Sequence, residues 1–456
     1  MLTVAASLEK TKKSWLGLEA PRYTSYPSAH HFSAEFDSIH HEEWLGEIGR
    51  DTSISVYFHI PFCRDLCSFC GCHTKITKHY DPIAAYVQTM LKEIELLRCR
   101  VGSKGKLVNI HFGGGSPNLL NSEDLRSILY AINSVFELSM SNEMAIEIDP
   151  RTTTVEKILL YEELGFTRVS LGIQDFDPIV QQTINRIQPY HMVASLMSKF
   201  REVGIQQINC DLIYGLPHQT PERFRDTLIK TVALDPARIA LFSYAHMPEL
   251  KKHQRIIDMS WLPTDSEKLT LYVMASKILE ENGYTSIGID HFSKIDDTLA
   301  SAQRDFTLKR NFQGYTTDSA EILVGIGNSA ISQFPKGYVQ NSQHSVMYRN
   351  LIENNRLPSV RGWHFKNNDH VHKRVIDELM CFMYVNLEVV CNAYKLDISY
   401  FQLELEKLRK EPYQEIVKID GQIISINTSY RMAARVVASV FDQYKHAAAG
   451  RYSKVA

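Results

Sequence analysis

The sequence predicts an α/β protein built on a partial or full (β/α) barrel, with an N-terminal extension and a mainly helical C-terminal domain that carries a small hairpin. Three observations predict it. Between residues 53 and 290, short β-rich runs alternate with segments of helical period, each bounded by Gly, Pro, Asp or Ser. The residues directly after several of those runs are polar or glycine-rich, as loops at the C-terminal ends of barrel strands are. Beyond about residue 330 the alternation gives way to helices and a hairpin.

Taken in order, residues 1–50 hold "APRYTSYPSAHHF", an aromatic, proline-punctuated run that does not suit regular structure and is expected to close over a site rather than stand alone. Residues 51–290 form the barrel. Its strands are read in "SISVYFH", "KLVNIHF", "MAIEIDP", "RVSLGIQ", "QQINCDLIYG", "RIALFSY" and "YTSIGI". Its helices are read in segments such as "DPIAAYVQTMLKEIELLRC", "SEDLRSILYAINSVF" and "TPERFRDTLIKTVAL", several opening on a capping residue. Six or more such units in succession favour a barrel over a doubly wound sheet. Residues 291–364 are read as barrel completion and linker. Residues 365–456 are read as helical and winged-helix-like, with a hairpin turning at Asp420-Gly421 and a last helix through "RMAARVVASVFDQY".

Composition narrows the function. A chain of 456 residues, 44% hydrophobic and 22% charged, is ordinary globular material. Its formal charge of −2 argues against nucleic acid as the main partner. No run approaches the roughly 18 apolar residues of a spanning helix, and the N-terminal residues do not read as a secretory signal, so a cytoplasmic protein without membrane insertion is expected. In a reducing compartment, clustered cysteines point to a metal or redox site. Four of the eight cysteines fall within "CRDLCSFCGC", whereas Cys99, Cys210, Cys381 and Cys391 are isolated and read as small buried hydrophobes.

The clustered spacing is Cys63-x3-Cys67-x2-Cys70, with Cys72 two residues on. A structural zinc site usually draws on a second, distant knuckle, which is missing here; zinc with Cys72, His73 or His79 as fourth ligand is the alternative. Three thiolates on one loop suit three irons of a 4Fe–4S cluster and leave the fourth iron open for reaction. After the second strand, "GGGSP" offers a loop whose exposed N–H groups can meet a charged ligand. Glu147, Gln174, Arg186 and Asp211 add donors and acceptors at later strand ends or in the units that follow.

The three cysteines, the aromatic Phe69 before the last of them and their place after a strand resemble the signature of the radical SAM enzymes. With "PRYTSYP", "YFHIPFCRDLCSFCGCH", "DLIYGLP", "YAHMP", "GIDHF" and "RNFQGYTT", the chain from about residue 20 onward is similar to the oxygen-independent coproporphyrinogen III oxidase family of bacterial haem biosynthesis. That resemblance implies one 4Fe–4S cluster with an open iron, two S-adenosylmethionine molecules and oxidative decarboxylation of two propionates of coproporphyrinogen III to vinyl groups. It implies Cys63, Cys67 and Cys70 as cluster ligands, and Tyr57, Gly114 and Glu147 around the first S-adenosylmethionine. Phe69, Gly115, Ser116, Gln174, Arg186, Asp211, Ala245 and Ile331 would line the second; Ser116 stands where the family commonly has Thr.

Cys72 is then expected off the cluster and on the substrate side. A substrate with four carboxylates on an apolar ring calls for cationic forks, for which Arg22, Lys309 and Arg310 are the candidates. A flavodoxin or ferredoxin as electron donor, a separate electron acceptor and a monomeric state complete the expectation. The competing readings are a haem-binding relative without decarboxylase activity, an enzyme acting on another tetrapyrrole, and a zinc-stabilised nucleic-acid module.

Overall fold

A computed structural model describes residues 15–36, 38–445 and 452. Its twelve-stranded sheet comprises β1 (Ser53–Ile60), β2 (Lys106–Gly114), β3 (Glu137–Ile148), β4 (Arg168–Gln174), β5 (Gln207–Tyr214), β6 (Arg238–Ser243), β7 (Tyr284–Ile287), β8 (His291–Lys294), β9 (Ile322–Ile326), β10 (Ile331–Phe334), β11 (Gly337–Asn341) and β12 (Ser359–His364). The order is β12-β11-β10-β9-β1-β2-β3-β4-β5-β6-β8-β7. Strands β1 to β6 pair in parallel and in chain order, and β9 returns to pair in parallel with β1. Both outer flanks are antiparallel additions. The end strands β12 and β7 do not pair with each other among the described residues, so the array is a partial barrel.

Alternate side chains of a strand share one face, and on β1 one face is wholly apolar. In β1, Ile54, Val56, Phe58 and Ile60 are all fully buried, and Phe58 stacks on Phe112 of β2 with ring centroids 4.6 Å apart. The following helix, Asp81–Arg98, buries Ile83, Val87, Met90, Ile94 and Leu97, one helical stripe, against the sheet. Burying each of these side chains stabilises the fold by about 1.5–3 kcal/mol before entropy is counted. Side-chain caps at Asn121 and Thr220 start the helices Ser122–Val135 and Pro221–Ala233. Because the central strands run parallel, the loops after them gather on one side, where the cysteine segment lies.

At the C-terminal end, the helix Asp369–Phe382 stops at Met383, whose φ is 57°. The hairpin forms from Val417–Asp420 and Ile423–Ile426 with Gly421 and Gln422 as its loop, one residue later than the expected turn. Tyr384–Asn386 adds a third strand that sequence reading placed in a helix. The single last helix is also corrected: only Ala434–Ala438 is α-helical, between 3-10 turns at Thr428–Ala433 and Ser439–Phe441. Polar side chains take the backbone donors a helix would need, since Gln443 N donates to Tyr26 Oη at 3.2 Å and Tyr444 N to Asp442 Oδ1 at 2.9 Å. The N-terminal run binds this segment. Tyr23 Oη donates to Asp442 Oδ2 at 2.9 Å, and Trp15 meets Tyr430 edge-on at 6.0 Å.

Candidate functional site

After β1 the chain enters a short parallel pairing of Phe62–Cys63 with Lys75–Ile76, which clasps the intervening cysteine loop at its base. Within it, Cys70 N donates to Cys67 O at 3.1 Å, and Ser68 N to Ile184 O at 2.9 Å. The three thiols have different surroundings. Ser116 Oγ lies 3.5 Å from Cys63 Sγ, and burial pushes that thiol up to about 11. Cys67 is buried, with Arg186 Nη1 at 3.6 Å and Arg151 Nη2 at 3.7 Å from its sulfur. Hydrogen bonds from Cys72 and Thr74 pull the Cys70 thiol down to about 6. Cys72 is exposed, and its hydrogen bond with Cys70 pushes its own thiol up.

The two arginines at Cys67 are held by one carboxylate. Asp149 lies 2.7 Å from Arg151 Nη2 and 3.5 Å from Arg186 Nη1, at the end of β3. Asp149 and Arg151 escaped sequence reading, although both stand in "EIDPR", where only Glu147 was singled out. Glu147 accepts from Gly114 N at 3.0 Å and from His111 Nε2 at 3.5 Å; burial opposes its charge, yet His111 and the Gly114 N–H hold its carboxyl below the usual range. Gly114 has φ +112°, and a Cβ there would sit 2.5 Å from the His59 ring, so only glycine fits. Tyr57 donates to or accepts from His59 Nδ1 at 3.1 Å and stacks on His111.

The remaining expected residues gather around this core. Ser116 is buried, with its N–H on Phe62 O at 2.7 Å. Gln174 adopts φ +67°, and its buried Oε1 has no hydrogen-bond partner. Arg186 Nη2 donates to Gly172 O at 2.7 Å. Asp211 accepts from Asn209 Nδ2 at 2.7 Å; burial and the charge of Glu147 push its carboxyl up to about 6. Gln254, fully buried, donates to Phe69 O at 3.0 Å and Ala245 O at 3.3 Å, tying those two residues together. Ile331 and Tyr57 line one cavity of about 160 Å³ with Phe312 and Gln313.

The basic candidates separate. Lys309 is exposed, Arg22 is exposed with Nη2 3.4 Å from Ser243 O, and Arg310 is buried with Nη1 3.7 Å from Asp290. Among the described residues, no group of three His, Cys, Asp or Glu is set to hold a single metal ion.

Known proteins place this arrangement. Residues 57–230 match the model of the radical SAM superfamily. The oxygen-independent coproporphyrinogen III oxidase of Bradyrhizobium diazoefficiens is 40% identical over 424 residues, covering 93% of this chain and 94% of its own length. That of Pseudomonas aeruginosa is 38% identical, with 94% of each chain covered. The solved structure of coproporphyrinogen III oxidase (HemN) from Escherichia coli, described as a radical SAM enzyme, superposes with a TM-score of 0.88 at 34% identity, over 93% of this chain and 97% of that one. With relatives this similar over almost their whole length, the chain belongs to the oxygen-independent coproporphyrinogen III oxidase family of radical SAM enzymes.

Proposed function

We propose that this protein oxidatively decarboxylates two propionate side chains of coproporphyrinogen III to vinyl groups, giving protoporphyrinogen IX. The observation that carries the reading is the clasped loop of Cys63, Cys67 and Cys70 facing Glu147 and the glycine turn at the end of the parallel strands. These residues suit a 4Fe–4S cluster with S-adenosylmethionine. Two guanidinium groups at the Cys67 sulfur compensate thiolate charge, and the unpartnered Gln174 Oε1 is an acceptor awaiting a donor. When bound, cluster and S-adenosylmethionine supply one-electron cleavage of a sulfonium bond and hence a hydrogen abstractor that side chains alone do not provide.

Cys63, Cys67 and Cys70 hold the cluster, and Cys72 stays off it. Tyr57, Gly114 and Glu147 hold the first S-adenosylmethionine, with the Glu147 carboxylate suited to an ammonium group or a ribose hydroxyl. Phe69, Gly115, Ser116, Gln174, Arg186, Asp211, Ala245 and Ile331 line a second. The link through Gln254 between Phe69 and Ala245 supports their common role. Each reacting propionate loses one hydrogen atom, one electron and carbon dioxide, so no side chain need act as nucleophile. A flavodoxin or ferredoxin gives the electron, a separate acceptor removes the substrate's electron, and the enzyme works as a cytoplasmic monomer.

Anaerobically reconstituted, reduced protein is expected to convert coproporphyrinogen III to protoporphyrinogen IX while consuming S-adenosylmethionine. Cluster binding with only uncoupled 5′-deoxyadenosine as product would favour the haem-binding alternative.

A further inference from the structure

A cavity of about 500 Å³ opens beside the cysteine loop at the end of β6. Its wall at residues 245–250 runs on into a segment strapped to that loop, since Lys251 Nζ donates to Cys72 O at 3.0 Å and His253 Nε2 lies 2.8 Å from Cys70 O. Phe242, Leu262 and Met432 give it apolar sides. Arg22, from the N-terminal run, and Arg435, from the last α-helical turn, bring guanidinium groups to it, and the half-buried Asp290 lines it as well. The other lining carboxylates, Glu19, Glu249 and Asp265, are exposed or half-buried.

Arg310 stands behind Asp290. Its Nη1 is 3.7 Å from Asp290 Oδ1, its Cζ is 4.5 Å from the centre of the Tyr315 ring, and its Nη2 donates to Arg22 O at 3.4 Å. His291 Nδ1 also pairs with Asp290 Oδ1, at 2.7 Å. The Asp290 charge is therefore engaged from behind. Burial would raise its carboxyl, but Arg310, His291 and Arg22 hold it at about 2. Burial and repulsion from Arg22 and Arg310 lower Arg435 to about 10, still charged at neutral pH. An anionic group between Arg22 and Arg435 relieves that repulsion, and a carboxylate matches a guanidinium fork.

We infer that Arg22, held at its backbone by Arg310, and Arg435 anchor one propionate of a tetracarboxylate tetrapyrrole in this cavity while another is presented at the cysteine-loop end. The inference rests on the proposed function and names the substrate contacts within it. Arg22 and Arg435 touch the substrate; Arg310 is a positioning residue.

The test uses the reconstituted holoenzyme. Arg22→Gln and Arg435→Lys are each expected to raise KM for coproporphyrinogen III about tenfold or more, with kcat changed far less. Without reductant, binding of coproporphyrin III, read by its fluorescence, should weaken by a similar factor. Wild-type protein should discriminate against coproporphyrin III tetramethyl ester, a comparison independent of how any variant folds, and Arg22→Gln should narrow that discrimination. Unchanged KM and binding in both variants, or ester bound by the wild type as tightly as the acid, would overturn the inference. Loss of all turnover in the wild type would instead count against the proposed function and leave the binding comparison decisive for the anchor.

Discussion

At the scale of single residues, the four clustered thiols divide by their neighbours. Cys67 faces two arginines, Cys63 faces Ser116, and Cys72 reaches Cys70 while staying exposed. Replacing Cys63, Cys67 or Cys70 by Ser should abolish the cluster's visible absorbance, whereas Cys72→Ser should keep it and lower product formation. Equal loss of absorbance in Cys72→Ser would make Cys72 a ligand. Arg151→Met takes a positive charge from the Cys67 sulfur, so the cluster's midpoint potential should move to more negative values in an anaerobic titration. Gly114→Ala forces a side chain into φ +112° against the His59 ring, at a cost of about 1–3 kcal/mol. Its expected effect is weakened S-adenosylmethionine binding by equilibrium dialysis, with the cluster absorbance retained.

At the scale of elements, Glu93 joins the helix Asp81–Arg98 to the flank of the sheet. It accepts from Gly327 N at 2.9 Å, Asn341 Nδ2 at 2.7 Å and Tyr348 Oη at 2.5 Å. Burial nonetheless pushes its carboxyl up from 4.5 to about 7. Below pH 4.5 both folded and unfolded chains hold this proton. Between the two values only the folded chain does, so this group's contribution to stability falls as pH rises through that window, by up to about 3 kcal/mol. Urea midpoints at pH 5 and pH 7.5 should therefore differ less in Glu93→Gln than in the wild type; equal differences would remove Glu93 as the cause. The parallel strands were legible because each is a short apolar run bounded by Gly, Pro, Asp or Ser, as "SISVYFHI" is before Pro61. Of the antiparallel flanks only β7 was read, in "YTSIGI", and as one more barrel strand; strands such as "HFSK" in β8 are too short to show a period and are set by pairing with β6 and β7.

At the scale of the whole molecule, the cysteine motif and the glycine turn could be read because their chemistry is carried by spacing within one segment. Arg435 could not, since "RMAARVVASVF" reads as an ordinary helix and its guanidinium acquires meaning only beside Arg22, far away in sequence. The same holds in part for Asp149, which pairs with Arg186 from another segment of the fold as well as with Arg151 two residues on. Contacts between the two ends of the described chain support the cavity. Tyr23→Phe removes the hydrogen bond to buried Asp442 and should cost about 1–3 kcal/mol in a denaturant titration, with the cluster absorbance unaltered. Arg435 Nη1 also donates to Ala20 O at 3.1 Å across 415 positions of sequence. A ribosome making this chain must therefore release residue 435 before the cavity acquires its second guanidinium, and a nascent chain already able to fold its cysteine loop still lacks the complete anchor for a tetrapyrrole.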